Sequence, residues 1–178
     1  MTAPHGADSA AARVKLLCLD VDGVLTDGTV ALDDLGHETK RFHARDGLGI
    51  RLWTRMGGHV AVITGRSGLA VRHRLEELGV RMLFSGSADK FTDFQAALAE
   101  CGVTAGEAAF VGDDLPDLPA MLACGYPVAV RDSAQEVLAI ARYVTAAPGG
   151  RGTSLAHRVE RCRPPTCPSI PASSARSR

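Results

Sequence analysis

Three carboxylates follow a single apolar run near the start of the chain. The stretch LCLDVDGVLTDG, residues 17–28, places Asp20, Asp22 and Asp27 within eight positions of one another. Like charges this close raise one another's pKa and destabilise a fold unless a positive group lies among them. The spacing therefore indicates either a solvated turn or a site that holds a cation.

Further polar groups follow apolar runs later in the chain. Thr64 ends the run HVAVIT, Lys90 opens a predicted helix, and the motif GDDLPD supplies Asp113, Asp114 and Asp117. In an open α/β sheet, groups that follow the strands meet at the carboxyl edge, where ligands bind. Oxygen ligands of this kind suit Mg²⁺, which keeps several waters and binds through one or two carboxylates and a substrate phosphate.

The same groups could carry out phosphoryl transfer. Asp20 could attack phosphorus and form an aspartyl-phosphate, which water then hydrolyses. Asp22, two residues further on, could protonate the leaving alcohol and later activate the water. A lysine and a hydroxyl, such as Lys90 and Thr64, could neutralise and orient the phosphoryl oxygens in the transition state.

The apolar runs before these groups are typical of buried parallel strands. Their apolar residues are continuous rather than alternating, which indicates strands covered on both faces. Helical patterns separate them, and Gly79 and Gly102 lie where two of these helices would end. Strands that alternate with helices predict an α/β fold with a doubly wound, Rossmann-like parallel sheet. The predicted strands lie at 14–20, 59–64, 81–84, 108–112, 127–130 and 143–145.

Two segments depart from this alternation. Residues 28–42, GTVALDDLGHETKRF, are typical of a small β-hairpin inserted after the first strand, with its turn at DDLG. The tail is rich in Pro, Ser and Arg, a composition that predicts disorder. We therefore expect a flexible N-terminus at 1–12, one α/β domain at 13–160 and a disordered tail at 161–178.

Composition disfavours several classes of function. The 178 residues carry 20 basic and 20 acidic side chains, so neither nucleic acid nor an anionic membrane is expected as a partner. No apolar run approaches the roughly 20 residues that span a bilayer, and the first residues lack the pattern of a signal peptide. The five cysteines are scattered and form no C-x-x-C motif, which favours a reducing cytoplasm.

Four short motifs, in order along the chain, resemble those of the haloacid dehalogenase-like phosphatases. They are DVDGVLTDG, ITGR, DK and GDDLPD, and the resemblance covers residues 14 to about 152. The implied catalytic groups are Asp20 as the nucleophile, Asp22 as the acid and base, and Thr64 and Lys90 as phosphoryl-binding groups. The implied cofactor is Mg²⁺, bound by Asp20, Asp113 and the backbone carbonyl of Asp22, with support from the other acids of GDDLPD.

A narrower resemblance is to the capless family of 3-deoxy-D-manno-octulosonate 8-phosphate phosphatases. It rests on TDG, KRFHARDGLGIRLW, TGRSG, the RHRLEELG helix and APGGRG. This family serves lipopolysaccharide biosynthesis in the cytoplasm of Gram-negative bacteria, and its members form homotetramers in which a neighbour's hairpin and tail complete the pocket. The spacing agrees with a capless enzyme, since the intervals from Asp22 to Thr64 and from Lys90 to Asp113 are too short for a cap domain.

This resemblance implies the substrate and its contacts. The implied activity is Mg²⁺-dependent hydrolysis of 3-deoxy-D-manno-octulosonate 8-phosphate, a phosphorylated sugar acid. Arginines suit such a substrate, because a guanidinium group binds carboxylate and phosphate bidentately. The implied substrate contacts are Asp22, His43, Ala44, Arg45, Asp46, Gly47, Arg51, Arg66, Arg74 and Lys90.

Three other functions compete with this interpretation. A phosphorelay receiver domain uses similar groups, but in a different order along the chain and without a hairpin insert. A catalytically idle domain of this fold, serving as a platform for oligomers, would lack the nucleophile or a metal ligand, and here both are present. A related phosphatase for another sugar acid phosphate, such as that of a nine-carbon 2-keto acid, is compatible with every motif.

Overall fold

Six parallel strands form the centre of the structure, a computed structural model that describes residues 10–152. They are arranged in the order β5-β4-β1-β6-β7-β8, while β2 and β3 pair antiparallel as a separate hairpin. The predicted doubly wound sheet and its hairpin insert are therefore confirmed. The strands are β1 (Leu16–Leu19), β2 (Ala31–Leu32), β3 (Glu38–Thr39), β4 (His59–Thr64), β5 (Met82–Ser85), β6 (Ala108–Gly112), β7 (Tyr126–Ala129) and β8 (Tyr143–Val144).

Five α-helices accompany the strands within the described residues. Two of them end at Gly79 and Gly102, as predicted, and both glycines adopt the left-handed conformation that closes a helix (φ 76° and 63°). The helix that ends at Gly102 begins at Asp89, whose side chain accepts a hydrogen bond from the Phe91 amide. The helices are α1 (Ala44–Arg55), α2 (Leu69–Leu78), α3 (Lys90–Cys101), α4 (Leu118–Ala123) and α5 (Gln135–Ile140).

In the stretch LPDLPAMLACG, the positions of Pro116 and Gly125 are typical of the first turn and the end of a single helix, but the structure differs from that pattern. The structure has a short 3-10 helix, Leu115–Asp117, followed by α4, which ends at Ala123. Pro119 has no amide proton to donate to the carbonyl of residue 115, so one continuous α-helix would lack its first hydrogen bond. The break keeps the end of β6 close to the start of α4.

The sheet is covered on both faces by apolar side chains. Along β1, Leu17 and Leu19 belong to a layer that includes residues of α1 and α2. Leu16 and Cys18 belong to a second layer, which includes residues of α3 and α4. This two-sided burial explains why the strand sequences are continuously apolar. The packing on both faces holds the strand ends in place, and the strand ends in turn position the loops that follow them.

The connections at the two possible cap positions are short. The hairpin and α1 occupy the interval between β1 and β4, and α3 with a 3-10 turn occupies the interval before β6. Within residues 10–152 neither interval contains a cap domain, in agreement with the spacing of the motifs. Nor does any helix in this part of the chain have the length and apolar character to cross a membrane.

The structured region starts earlier than the predicted boundary at residue 13. Ala10 and Ala11 are buried in the same apolar layer as Leu17, and Ala11–Arg13 form a 3-10 helix. Residues 10–12 therefore belong to the folded domain rather than to a flexible N-terminus, because small apolar side chains there fill space against the sheet. The predicted end of the domain at 160 and the predicted disordered tail at 161–178 lie outside the described residues.

Candidate active site

A pocket of about 670 Å³ opens at the carboxyl ends of the central strands. All five residues predicted to carry out catalysis or bind metal contribute to its lining, although they come from four separate segments of the chain. Arg66, a predicted substrate contact, lines the same pocket. The predicted residues in the lining are Asp20, Asp22, Thr64, Arg66, Lys90 and Asp113.

The loop after β1 is fixed by its backbone. The Asp20 amide donates to the carbonyl of Val111 at 3.1 Å, which extends the pairing of β1 with β6 by one residue. Gly23 has a φ of 90°, and a Cβ atom at this position would overlap the carboxylate of Asp113. Only glycine therefore allows the loop to pass this close to the end of β6.

Thr26 organises the rest of this loop from inside. Its side chain is buried, and its hydroxyl donates to the carbonyl of Val21 at 3.3 Å. The same oxygen accepts hydrogen bonds from the amides of Gly23 at 3.4 Å and Gly28 at 3.3 Å. The TDG motif thus has a structural part in holding the loop that carries Asp20 and Asp22.

Lys90 lies between two buried carboxylates. Its Nζ atom is 2.8 Å from Asp20 Oδ1 and 2.7 Å from Asp117 Oδ1, and all three side chains are at least nine-tenths buried. Burial opposes the charge of Lys90, but the two carboxylates outweigh it and raise its pKa. The lysine therefore stays charged and neutralises part of the acidic cluster.

Asp117 has a larger part in this cluster than the supporting one implied by the sequence. It is fully buried, and its Oδ2 accepts hydrogen bonds from the amides of Asp113 at 3.0 Å and Asp114 at 3.3 Å. A Cβ atom at Gly112 would overlap the Asp117 side chain, so the first position of the GDDLPD motif requires glycine. Asp117 thus links Lys90 to the loop that presents Asp113.

The acidic cluster has the composition of a site for a hard cation. One carboxylate oxygen each from Asp20, Asp113 and Asp117 lies within 4.8 Å of the others. Burial, then the charge of Asp117, raises the pKa of Asp20 to about 6 despite Lys90. Burial and the charges of Asp20 and Asp117 raise the pKa of Asp113 to about 8. The positive charge of Lys90 alone therefore does not neutralise the negative charge of this carboxylate cluster.

Two carboxylate oxygens at the pocket also lack partners within residues 10–152. Asp113 Oδ1 and Asp22 Oδ2 are buried and accept no hydrogen bond from the described part of the protein. A buried acceptor without a partner destabilises a fold by about 1–3 kcal/mol, so such atoms indicate a missing ligand. The Asp113 oxygen fits Mg²⁺, which binds few carboxylates and keeps several waters.

We expect the stability of the metal-free protein to fall as the pH rises through the titration of Asp113. The pKa of this carboxyl is 3.8 in the unfolded chain and about 8 in the fold. The folded protein thus binds more protons between these values, and its free energy of unfolding decreases with pH. Melting curves in chelator at about pH 5 and about pH 8 would measure the decrease.

The matched control for this effect is Asp113→Asn, which cannot titrate at that position. The variant is expected to lose less stability than the wild type between the two pH values, since the contribution of Asp113 is absent. Equal losses in the two proteins would contradict the raised pKa of Asp113. Mg²⁺ is expected to reduce the loss in the wild type, because binding to the folded state alone stabilises it.

Sequence reasoning missed the contribution of the hairpin to this pocket. Lys40, one residue beyond β3, is buried and forms an ion pair with Asp22. Glu38 accepts hydrogen bonds from Arg66 and also pairs with Lys40. The i, i+2 spacing of Glu38 and Lys40 places both side chains on one face of a strand, but it does not indicate that this face is turned toward Asp22.

Ser87 is a further pocket residue that sequence reasoning missed. Its hydroxyl oxygen is buried and has no partner among the described residues, and its amide donates to the Thr64 carbonyl at 3.0 Å. Thr64 at the end of β4 and Ser87 just after β5 therefore present two neighbouring hydroxyl-bearing side chains in the pocket lining. Serine is common in turns, so the residue type alone does not indicate that Ser87 lies in the pocket.

Seven of the predicted substrate contacts do not line this pocket. They lie at the start of α1, along α1 or on α2, and several surround a second, small cavity with Leu25 and Phe42. Within the single chain Arg51 and Arg74 both bind Glu77, at 3.7 Å and 2.7 Å. The seven residues are His43, Ala44, Arg45, Asp46, Gly47, Arg51 and Arg74.

The GGRG segment packs directly against the loop after β1. The Gly150 amide donates to the carbonyl of Val24 at 3.0 Å, and Cβ atoms at Gly149 or Gly150 would overlap the backbone of residues 23–27. The Gly152 amide donates to the buried carboxylate of Asp46 at 3.2 Å. The glycines of this motif therefore permit a backbone-to-backbone contact that supports the Asp20 and Asp22 loop.

Comparisons with known protein sequences agree with the pocket chemistry. The model of the family described as haloacid dehalogenase-like hydrolase matches residues 49–125. The 3-deoxy-D-manno-octulosonate 8-phosphate phosphatase of Haemophilus influenzae is 41% identical over 140 residues, which are 79% of this chain and 78% of that protein. The enzyme of the same name from Escherichia coli K12 is also 41% identical, over 84% of this chain and 80% of its own.

Solved structures of phosphatases with the same name have folds similar to that of this chain. The Yersinia pestis 3-deoxy-D-manno-octulosonate 8-phosphate phosphatase has a TM-score of 0.82 and 38% identity, over 88% of this chain and 82% of that one. The Moraxella catarrhalis enzyme, in complex with magnesium ion, phosphate ion and KDO, has a TM-score of 0.82 and 35% identity, over 86% and 88%. This chain therefore belongs to the haloacid dehalogenase-like hydrolases, in the family of 3-deoxy-D-manno-octulosonate 8-phosphate phosphatases.

Proposed function

We propose that this chain hydrolyses 3-deoxy-D-manno-octulosonate 8-phosphate to 3-deoxy-D-manno-octulosonate and inorganic phosphate, with Mg²⁺ as the cofactor. The observation that carries the proposal is the pocket that joins Asp20, Lys90 and Asp113 to Asp22 and Thr64. Support comes from relatives of that name at 41% identity and from a neighbour solved with magnesium, phosphate and KDO.

In the first half of the reaction, a carboxylate oxygen of Asp20 attacks phosphorus, and the bond from phosphorus to the sugar oxygen breaks. Asp22 donates its proton to that oxygen, so the sugar leaves as a neutral alcohol. Lys90, 2.8 Å from Asp20, and the hydroxyl of Thr64 hold the phosphoryl oxygens. The product of this half-reaction is an aspartyl-phosphate on Asp20.

In the second half, Asp22 accepts a proton from water, and the water oxygen attacks the phosphorus of the aspartyl-phosphate. The bond to Asp20 breaks, and phosphate is released with Asp20 again a carboxylate. The groups that would hold Mg²⁺ are the carboxylates of Asp20 and Asp113 and the backbone carbonyl of Asp22. Bound there, Mg²⁺ supplies positive charge for the phosphoryl oxygens and for the crowded carboxylates.

The remaining substrate contacts are proposed to act in a homotetramer. Arg66 lines the pocket of its own chain and is suited to the carboxylate or phosphate of the substrate. The contacts on α1 and α2 lie outside that pocket in a single chain, so their part requires a neighbouring subunit to complete the site. We also propose a cytoplasmic location and a part in lipopolysaccharide biosynthesis, supported by the sugar acid in the relatives' names and by free cysteines in the described chain.

The test is phosphate release from a panel of phosphate monoesters, measured with Mg²⁺ and with chelator. The panel contains 3-deoxy-D-manno-octulosonate 8-phosphate, a nine-carbon 2-keto sugar acid phosphate and simple hexose phosphates. We expect the eight-carbon substrate to have the highest kcat/KM, and chelation to abolish turnover until Mg²⁺ is restored. Preference for the nine-carbon substrate would replace the proposed substrate, and inactivity on the whole panel would favour an idle oligomerisation domain.

A further inference from the structure

The hairpin brings a buried cation into contact with the proposed proton donor. Lys40 follows β3, its side chain is 2% exposed, and its Nζ atom forms an ion pair with Asp22 Oδ1. The Glu38 carboxylate lies 3.2 Å from the same Nζ atom. Lys40 therefore has a fixed position between one hairpin residue and one residue of the catalytic loop.

Glu38 extends this contact to the other side of the pocket. Its Oε1 atom is 3.1 Å from a terminal nitrogen of Arg66 and accepts a hydrogen bond from Arg66 Nε at 3.2 Å. The Glu38 side chain is only 16% exposed, so the pairing is partly shielded from water. The hairpin of the chain is thus part of that chain's own active site, and it joins Asp22 to Arg66.

The two oxygens of Asp22 have different surroundings. Oδ1 accepts from the Lys40 ammonium, whereas Oδ2 is buried and has no partner in the described part of the chain. Asp22 also lines the pocket that contains Asp20. The Lys40 ammonium therefore occupies Oδ1, and Oδ2 is the oxygen left to contact a leaving group in the pocket.

We propose that Lys40 is a positioning residue, which holds Asp22 through Oδ1 so that Oδ2 delivers the proton to the leaving oxygen. The proposal rests on the proposed function, in which Asp22 is the acid of the first half-reaction. Misplacement of a catalytic group by about 1 Å can reduce a rate about 10²-fold. Without Lys40, rotation of the Asp22 carboxylate would misplace its proton in this way.

The experiment compares two leaving groups in the first turnover of Lys40→Met. The alcohol of 3-deoxy-D-manno-octulosonate 8-phosphate needs a proton when it leaves, whereas 4-nitrophenolate leaves as a stable anion. Rapid mixing with Mg²⁺ measures release of each leaving group before the aspartyl-phosphate is hydrolysed. We expect Lys40→Met to slow alcohol release about 10²-fold and 4-nitrophenolate release by less than about threefold.

Lys15→Met is the matched control, because it makes the same chemical change at an exposed lysine that pairs with Glu107 away from the pocket. It is expected to release both leaving groups at the wild-type rate. Equal slowing of both by Lys40→Met would overturn the proposal, since a general structural or phosphate-binding role affects both substrates alike. Unchanged release of both would overturn it as well.

Two further variants keep the test decisive if Lys40→Met folds poorly. Lys40→Arg retains a cation for Asp22 Oδ1, and it is expected to keep the wild-type ratio of the two rates. In an Asp22→Asn background, Lys40→Met is expected to slow alcohol release no further, because Lys40 acts through Asp22. If Lys40→Met slowed this variant by the same factor as it slows the wild type, the proposal would be overturned. Failure of the proposed function is distinguishable, because the wild type itself would then release no sugar alcohol.

Discussion

Asp20→Asn is expected to reduce turnover by about 10⁴-fold or more and to leave the fold intact. The amide has nearly the shape of the carboxylate, but it cannot attack phosphorus, so the aspartyl-phosphate cannot form. The fold is expected to tolerate the change, because Lys90 keeps its pairing with Asp117 at 2.7 Å. Loss of one charge also relieves the repulsion that raises the pKa of Asp113.

The measurement is phosphate release under saturating substrate and Mg²⁺, together with thermal melting of the same protein samples. Asp27→Asn is the matched control, since Asp27 is an exposed acid of the same loop whose carboxylate accepts from the Thr29 amide at 3.1 Å. We expect the control to keep wild-type turnover. If Asp20→Asn still released phosphate at a substantial rate, Asp20 would not be the nucleophile.

Lys90→Met is expected to abolish turnover and also to destabilise the protein. Lys90 pairs with the buried carboxylates of Asp20 and Asp117. In chelator, its removal leaves these two and the neighbouring Asp113 without its neutralising charge. Breaking a buried ion pair by removing one partner costs about 3–5 kcal/mol of the free energy of unfolding. Catalysis fails for a separate reason, because the cation that binds the phosphoryl group is gone.

Urea unfolding in chelator measures the stability change, and phosphate release with Mg²⁺ measures activity. Lys15→Met is expected to change neither property much, because its ion pair with Glu107 is exposed to solvent. The double variant Lys90→Met with Asp117→Asn is expected to recover part of the lost stability while remaining inactive. A Lys90→Met protein as stable as the wild type would contradict the view that Lys90 neutralises the acidic cluster.

The catalytic groups were predictable because they follow strands whose positions the apolar runs define. A parallel sheet brings the ends of β1, β4 and β6 to one edge, so Asp20, Thr64 and Asp113 had to meet there whatever the details of the loops. The strand and turn pattern of residues 28–42 also predicted the hairpin, and the motif spacing predicted that there is no room for a cap domain. These features depend on backbone topology, which periodicity of apolar residues indicates well.

The parts that were not predictable depend on the direction of individual side chains. Lys40 could have pointed to solvent, as most lysines do, and nothing in its neighbourhood along the chain indicates contact with Asp22. Complete burial of Asp117 likewise depends on the 3-10 turn after β6, which places its carboxylate over the loop amides. Arg51 on α1 and Arg74 on α2 likewise face Glu77 in the single chain rather than the pocket, a direction that the helical pattern alone does not fix.

The contact of the GGRG segment with the loop after β1 has a consequence for how the enzyme is made. This contact and the bond from Gly152 to Asp46 join parts of the chain that are far apart in sequence, 106 positions in the latter case. Contacts of such large separation form late in folding, since the intervening loop must first be closed. A growing chain on the ribosome therefore contains its nucleophile long before the loop that carries it is supported, and we expect activity only after residues 149–152 have emerged and docked.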